Sequence, residues 1–338
     1  MCVAGGKRCE YADSIANVRR KARSKLKNSY NVEREVADAV EKFKENNPVL
    51  VLEHLPEKMA FQYQPPKRPV PEHVKGLLMP YSIPARGSAE DKDVLLGQLY
   101  ERGREWRDSL TRDEDNAVSQ YTMSAYESMN TYLRRHGFRD WAKQNQFLWS
   151  GEDQQHYMEN VIKPRIAEMD AALKKAPIPD EPETLYRFFR VPSGITPAQY
   201  IRKYFTPGHG FKDRGFLSTT ADPEYVAAHI MSRSGGTRNK HYVVMEILSS
   251  RGASLQPKPK GAPGWVQSLE AEIVLPRNAG LHIIDSGKRH FEFSKDRPDL
   301  AQRYNMFGGR GVTLNEGTSI ALPVIRMVDS ALTVKGKN

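Results

Sequence analysis

Apolar positions along this chain recur first at helical and then at strand spacing. From Asn31 to Asn46, NVEREVADAVEKFKEN sets Val32, Val36, Ala39, Val40 and Phe43 on one helical face, and Asn46-Asn47-Pro48 stops it. A short apolar run, Val49 to Leu52, precedes a segment crowded by Pro56, Pro65, Pro66, Pro69, Pro71, Pro80 and Pro84. Such a composition predicts a linker or an extended strap lying along a domain. The boundary is placed there: residues 1–84 form an arm, a helix and a Pro-rich strap, and residues 85–338 form one large domain. Asp91 to Arg107 is a helical pattern with Val94, Leu95, Leu99 and Trp106 inward. Thr111 followed by Glu114 has the spacing of a capping box, and the helix it opens runs through AVSQYTMSAYESMNTYLRR to near Gly137. Asn160 to Lys175 is a further helix with Ile162, Ile166, Met169 and Leu173 inward, ended by Pro177, Pro179 and Pro182.

Beyond those prolines the runs shorten and become β-branched and aromatic. LYRFFRV (from Leu185), GFLSTT (Gly215 to Thr220), HYVVMEIL (from His241) and EAEIVLP (Glu270 to Pro276) each read as a strand bounded by Gly or Pro. Asp222-Pro223 opens a helix through Tyr225, Ala228 and Ile230. His290-Phe291-Glu292-Phe293 and Ser319 to Val328 are further candidate strands, which makes the class α+β. Phe307-Gly308-Gly309-Arg310-Gly311 is a Gly-rich turn without the GxxxxGK spacing of a phosphate loop.

The 338 residues suffice for an ample core, and 39% apolar with 27% charged residues is ordinary globular composition. No apolar run approaches the roughly 18 residues of a membrane span, and no Sec-type signal opens the chain. The expectation is a soluble, monomeric protein acting in a cytoplasm. Cys2 and Cys9 supply neither a disulfide framework nor metal-site spacing, so no metal is expected. The net charge of +10 is concentrated in RRKARSKLK, Arg19 to Lys27. This is a solvated helix face or basic arm, or else a packaging, delivery or nucleic-acid contact; sparse aromatic residues argue against base stacking.

Candidate chemistry sits on the strands. Arg187 lies among Leu185, Tyr186, Phe188 and Phe189, so its charge needs a partner, either a phosphate pair matched by the guanidinium fork or a structural carboxylate. On a regular strand Glu270 and Glu272 share one face, about 7 Å apart, with Leu269, Ala271 and Ile273 on the other. Paired carboxylates on a half-buried strand require nearby cations or a substrate. An Arg, a Ser and a Glu pair on three strands suggest a cleft that grips phosphate and stabilises positive charge.

In this order the residues resemble the mono-ADP-ribosyltransferase family with Arg, Ser-Thr-Thr and Glu-x-Glu motifs. The branch is that of the actin-modifying binary toxins and related bacterial and phage exoenzymes. The resemblance spans roughly Asp91 to Ile284 and departs at Phe188, where the family often has Gly or Arg. It implies N-terminal helices packed on two mainly antiparallel sheets around an NAD cleft, with NAD as co-substrate. It implies that Arg187 holds the pyrophosphate, assisted by Arg190, while the Phe188 backbone holds the nicotinamide amide. Tyr121, Tyr126, Asn130 and Arg134 would line the cleft. Ser218 would orient Glu272, with Thr219 and Thr220 bracing the strand, and Arg233 or Arg238 would reach phosphate. Glu272 would act at the ribose, Glu270 would orient an acceptor arginine, and Trp265 would press on the target protein. The implied activity is arginine mono-ADP-ribosylation by an effector delivered into a target cell. The alternatives are an NAD glycohydrolase or an interaction module with a decayed site.

Overall fold

The LYRFFRV run forms strand β1 (Glu183–Arg190), and the architecture is assembled on its two edges. This is a computed structural model that describes residues 70–85, 89–135, 156–192, 194–234, 241–255, 271–292 and 319–334. The chain divides into two units, Met1–Lys58 with Val191–Thr196, and Met59–Arg190 with Pro197–Asn338. The first lies almost wholly outside the described residues, as do the helix expected from Asn31 and the basic arm. The second unit holds the sheet and its helices.

Along one edge, β1 pairs antiparallel with β4 (Tyr242–Ser249) over its whole length, from Glu183↔Ser249 to Arg190↔Tyr242. Every residue of β4 is buried, as expected for a central strand covered on both faces. β4 lies parallel to β8 (Ser319–Asp329), which pairs antiparallel with β7 (Gly280–Glu292). β2 (Gly210–Lys212) completes this wing on β7. Along its other edge, β1 meets β3 (Leu217–Thr220) through a single registered pair, Tyr186↔Thr220. β3 continues into β6 (Glu272–Leu275) and β5 (Ala253–Ser254). The order is β2-β7-β8-β4-β1-β3-β6-β5.

The fold is α+β and mainly antiparallel as expected, but the described strands make one continuous sheet rather than two. The reason is the joint at Tyr186↔Thr220, one pair wide, which keeps two wings within one hydrogen-bonded order. Directly opposed residues share a face, so in a flat sheet Tyr186, Thr220, Glu272 and Val274 would lie on one side. Instead Tyr186 packs with Val226, Ile230 and Val324 in one core, while Val274 packs with Tyr121, Met129 and Phe216 in another. The two wings therefore bury their apolar residues in separate cores.

Helices cover each wing. α1 (Glu72–Lys75) precedes α2 (Ala89–Asp108), α3 (Arg112–Gln120), a π-helical turn at Tyr121–Ala125 and α4 (Tyr126–Arg135). The capping box at Thr111 forms, with Glu114 N–H on Thr111 Oγ1 and Thr111 N–H on Glu114 Oε2. In α2 Leu99 and Trp106 are buried as expected, but Val94 is 59% exposed. That face has turned to solvent before the first inward residue, Leu99. A second π turn, Met158–Ile162, leads into α5 (Lys163–Lys174), where Ile162, Ile166, Met169 and Leu173 are all buried. Trp106 Nε1 donates to Ala172 O at 2.9 Å and ties α2 to α5. On the other wing α6 (Pro197–Tyr204) and α7 (Pro223–Ser234) follow β1 and β3, and α8 (Ser330–Val334) follows β8. Asp222 Oδ1 caps α7 by accepting from the Glu224 and Tyr225 N–H groups.

The Pro-rich stretch that is described lies along β7. Ala85 bridges Phe291, and Arg289 donates to Met79 O at 2.7 Å and Ile83 O at 3.2 Å. Arg289 also pairs with Glu246 at 2.9 Å, both side chains sealed from solvent.

Candidate active site

The π turn that opens at Tyr121 is a single-turn widening of the kind often found at functional sites. It carries the Tyr121 hydroxyl to Ser218 Oγ on β3, 2.9 Å away. Asn130, on α4, donates its Nδ2 to the same hydroxyl at 3.1 Å and accepts the Phe216 N–H on Oδ1 at 2.8 Å. Both ends of that buried amide are thus committed, and the helix, the turn and β3 are held as one piece. Burial is the main cause that pushes the Tyr121 hydroxyl above its ordinary pKa, opposed by the Ser218 and Asn130 hydrogen bonds.

Arg187 Nη1 donates to Ser218 O at 2.7 Å, across the one-pair joint. Among the described residues no salt bridge neutralises it. Burial and the neighbouring Arg134 guanidinium lower its pKa, while Asp213, Tyr121 and Glu272 act in the opposite direction. Glu272 stands opposite Thr220 and one diagonal step from Ser218, about 7–8 Å by strand geometry. Arg187, Ser218 and Glu272 are each partly exposed, whereas Tyr121, Thr219, Thr220 and Ile273 behind them are buried.

Of the residues expected at the site, the fold gathers Arg187, Ser218, Glu272, Tyr121, Asn130 and Arg134. Tyr126 is 43% exposed, its ring edge-on to Tyr121 at 6.2 Å. Phe188 packs its ring on His229 and Tyr242, and Arg190 is exposed at the end of β1. Thr219 faces away from Ser218 and donates its Oγ1 to Ile273 O at 2.6 Å, a brace between strands. Glu270, Trp265 and Arg238 lie outside the described residues, as does the Arg233 side chain.

One expectation about this strand is corrected, at its described start. The strand begins at Glu272, because Ala271 has φ +43°, in the left-handed region, with its O accepting the Ala221 N–H. Ala271, expected on the strand face opposite Glu272, therefore stands outside the alternation of the described strand. Sequence reading also missed Asp213, which holds Arg134 through Nε and Nη2, each at 2.9 Å. A signal was present in Asp213-Arg214-Gly215, since an Asp two residues before a Gly accepts its N–H in an Asx turn. Asp213 Oδ1 does so at 2.8 Å. The partner Arg134, far off in sequence, left none.

Cationic side chains beside a carboxylate and aromatic rings suit an anionic ligand with a flat ring. The profile described as ADP-ribosyltransferase exoenzyme matches residues 100–305, more than half of the chain, and the chain belongs to that family. No curated protein matches it by sequence. Among solved structures it is similar to the enzymatic component C2-I of the Clostridium botulinum C2 toxin, at 17% identity over 72% of this chain and 47% of that one, TM-score 0.40. It is also similar to BECa, an ADP-ribosylating toxin of a C. perfringens binary enterotoxin solved with NADH, at 17% identity over 70% and 48%, TM-score 0.42. A third is the Vis toxin of Vibrio splendidus, at 17% identity over 74% and 90%, TM-score 0.40. The chain spans about half the length of the C2-I and BECa components. Among the described residues no cluster of three metal-ligating side chains occurs, and no helix is long and apolar enough to cross a membrane.

Proposed function

We propose that the protein transfers ADP-ribose from NAD to an arginine side chain of a target protein and releases nicotinamide. The observation that carries this reading is the meeting of Arg187, Ser218 and Glu272, from three strands, at the one-pair joint of the sheet in a chain of this family.

The guanidinium of Arg187 keeps donors beyond the one given to Ser218 O, and a planar fork matches pyrophosphate oxygens. The bond from ribose C1′ to the nicotinamide nitrogen breaks with its electron pair leaving on nicotinamide, and positive charge develops on the sugar. The Glu272 carboxylate stabilises that charge and accepts a hydrogen bond from the ribose 2′-hydroxyl. Ser218, whose Oγ is held by the Tyr121 hydroxyl, is the residue expected to orient Glu272. A guanidino nitrogen of the acceptor then bonds to C1′ and gives up a proton. Glu270 is the residue expected to orient that guanidinium, because carboxylate and guanidinium pair through two hydrogen bonds. The arginine assignment rests on its identity in the Glu-x-Glu motif.

Incubation with NAD labelled in the adenylate, together with a cell lysate, tests the reading. Label on a protein band, released by neutral hydroxylamine and absent for Glu272→Gln, is the expected result. Label released only as free ADP-ribose makes the protein a glycohydrolase, and NAD binding without turnover makes it a decayed site. Glu270→Gln should remove arginine labelling while leaving nicotinamide release; parallel loss of both removes the reason for naming arginine.

A further inference from the structure

We propose that Asp213 is a positioning residue of this site, acting through Arg134 to set how tightly the cosubstrate pyrophosphate is bound. The inference rests on the reading that the cleft binds NAD.

Asp213 accepts Arg134 Nε on one oxygen and Nη2 on the other, each at 2.9 Å. Arg134 Nη2 also reaches Phe216 O at 3.3 Å. Two of the three guanidinium nitrogens are thereby occupied, and Nη1 remains for a ligand. The Asp213 side chain is 10% exposed and that of Arg134 is 22%, so the carboxylate lies deeper and the guanidinium stands between it and solvent. Arg134 is close enough to Arg187 to lower its pKa, and Asp213 to raise it. Two guanidinium cations this close repel each other while no anion lies between them. A free Arg134 would swing into water, and a long flexible side chain loses rotamer freedom when a ligand recaptures it. The buried carboxylate offsets the repulsion and fixes the fork before any phosphate arrives, which lowers the entropy lost on binding.

The surrounding backbone is built to this pair. A Cβ at Gly215 would meet Asn130 Oδ1 at 2.7 Å and Arg134 Nε at 3.0 Å. The segment from Asp213 to Phe216 is thus pressed onto α4 just before β3, which carries Ser218. Asp213 anchors it at one end through the Gly215 N–H, and Asn130 anchors it at the other through the Phe216 N–H.

Asp213→Asn keeps an acceptor for the Gly215 N–H and removes the charge. In a nicotinamide-release assay with free arginine as acceptor, KM for NAD should rise roughly tenfold, the loss expected for one charge-assisted pair, with kcat within about twofold. Calorimetric Kd for NAD should rise in step. In an Arg134→Ala background the same substitution should add almost nothing, because its effect passes through Arg134. A merely structural Asp213 would lower the melting temperature and the active fraction without moving KM. Should Asp213→Asn fail to fold, Arg134→Lys keeps the charge without the fork and should raise KM similarly. An unchanged KM and Kd in the folded variant, or an undiminished effect on top of Arg134→Ala, overturns the proposal while leaving NAD binding by the wild type intact. A wild-type protein that takes up no NAD overturns the cosubstrate reading, and this proposal with it.

Discussion

Removal of one oxygen atom tests whether the Tyr121 hydroxyl is the pivot of the site. In Tyr121→Phe the ring stays, with its edge contacts to Phe216 at 5.7 Å and Tyr126 at 6.2 Å. What goes is the hydroxyl between Ser218 Oγ (2.9 Å) and Asn130 Nδ2 (3.1 Å). Ser218 is partly exposed and can turn to water. Asn130 is 6% exposed and its Oδ1 is held by the Phe216 N–H, so Nδ2 cannot rotate to another acceptor without breaking that bond. A buried donor left unsatisfied costs about 1–3 kcal/mol. At roughly 2–4 °C per kcal/mol for a domain of this size, the melting temperature should fall by about 2–12 °C. Loosening of Ser218 by about 1 kcal/mol should cut kcat for nicotinamide release roughly fivefold. Differential scanning fluorimetry and the release assay read both effects in one preparation. A melting temperature within 1 °C of wild type (about the reach of 0.3 kcal/mol) together with unchanged kcat would refute the argument.

The same geometry sets three further outcomes. Arg187→Lys should weaken NAD binding roughly tenfold or more, because a point charge cannot hold Ser218 O and grip a phosphate pair at once; equal affinity by calorimetry would remove Arg187 from the phosphate site. At Ala271, φ +43° predicts that Gly is tolerated within about 1 kcal/mol while Val costs about 2 kcal/mol or more. A regular strand predicts the reverse order, so chemical denaturation of the two variants decides. Burial pushes the Glu246 carboxyl from 4.5 up to about 7, against the pull of Arg289 and Arg326 and with Asp285 adding to the rise. The stability it contributes is complete below pH 4.5 and is lost as the pH climbs through about 7. Melting temperatures of Glu246→Gln should therefore gain on wild type between those values, and a constant gap would exclude this titration.

Periodicity alone made most of the elements legible. The capping box at Thr111, the inward face from Ile162 to Leu173, the LYRFFRV and HYVVMEIL strands and the final strand from Ser319 all stand where the pattern puts them. Local patterns succeed there because the partners are near in sequence or the burial is two-sided. The failures have the opposite character. Val94 fits its stripe by spacing, but whether a stripe end is covered depends on what packs there. Ala271 sits in a sequence that alternates like a strand, and only its bond to Ala221 shows that the backbone has left it. Arg134 was legible as a candidate site residue, yet its carboxylate, Asp213, arrives from the segment between β2 and β3, 79 residues later. The π turn leaves no mark in composition and still determines where the Tyr121 hydroxyl points.

The strand order carries a consequence in time. β4 is buried along its whole length, yet its neighbour β8 is the last described strand to be made. β4 ends at Ser249 and β8 opens at Ser319. At ~5–20 residues per second, a ribosome leaves β4 without that neighbour for roughly 4–14 s. Throughout that interval an apolar strand edge next to the strand of Arg187 is open to any other unpaired strand. The nascent chain is then at its most aggregation-prone and most dependent on chaperones, and slower elongation between codons 250 and 318 should lower the soluble yield without altering the finished protein.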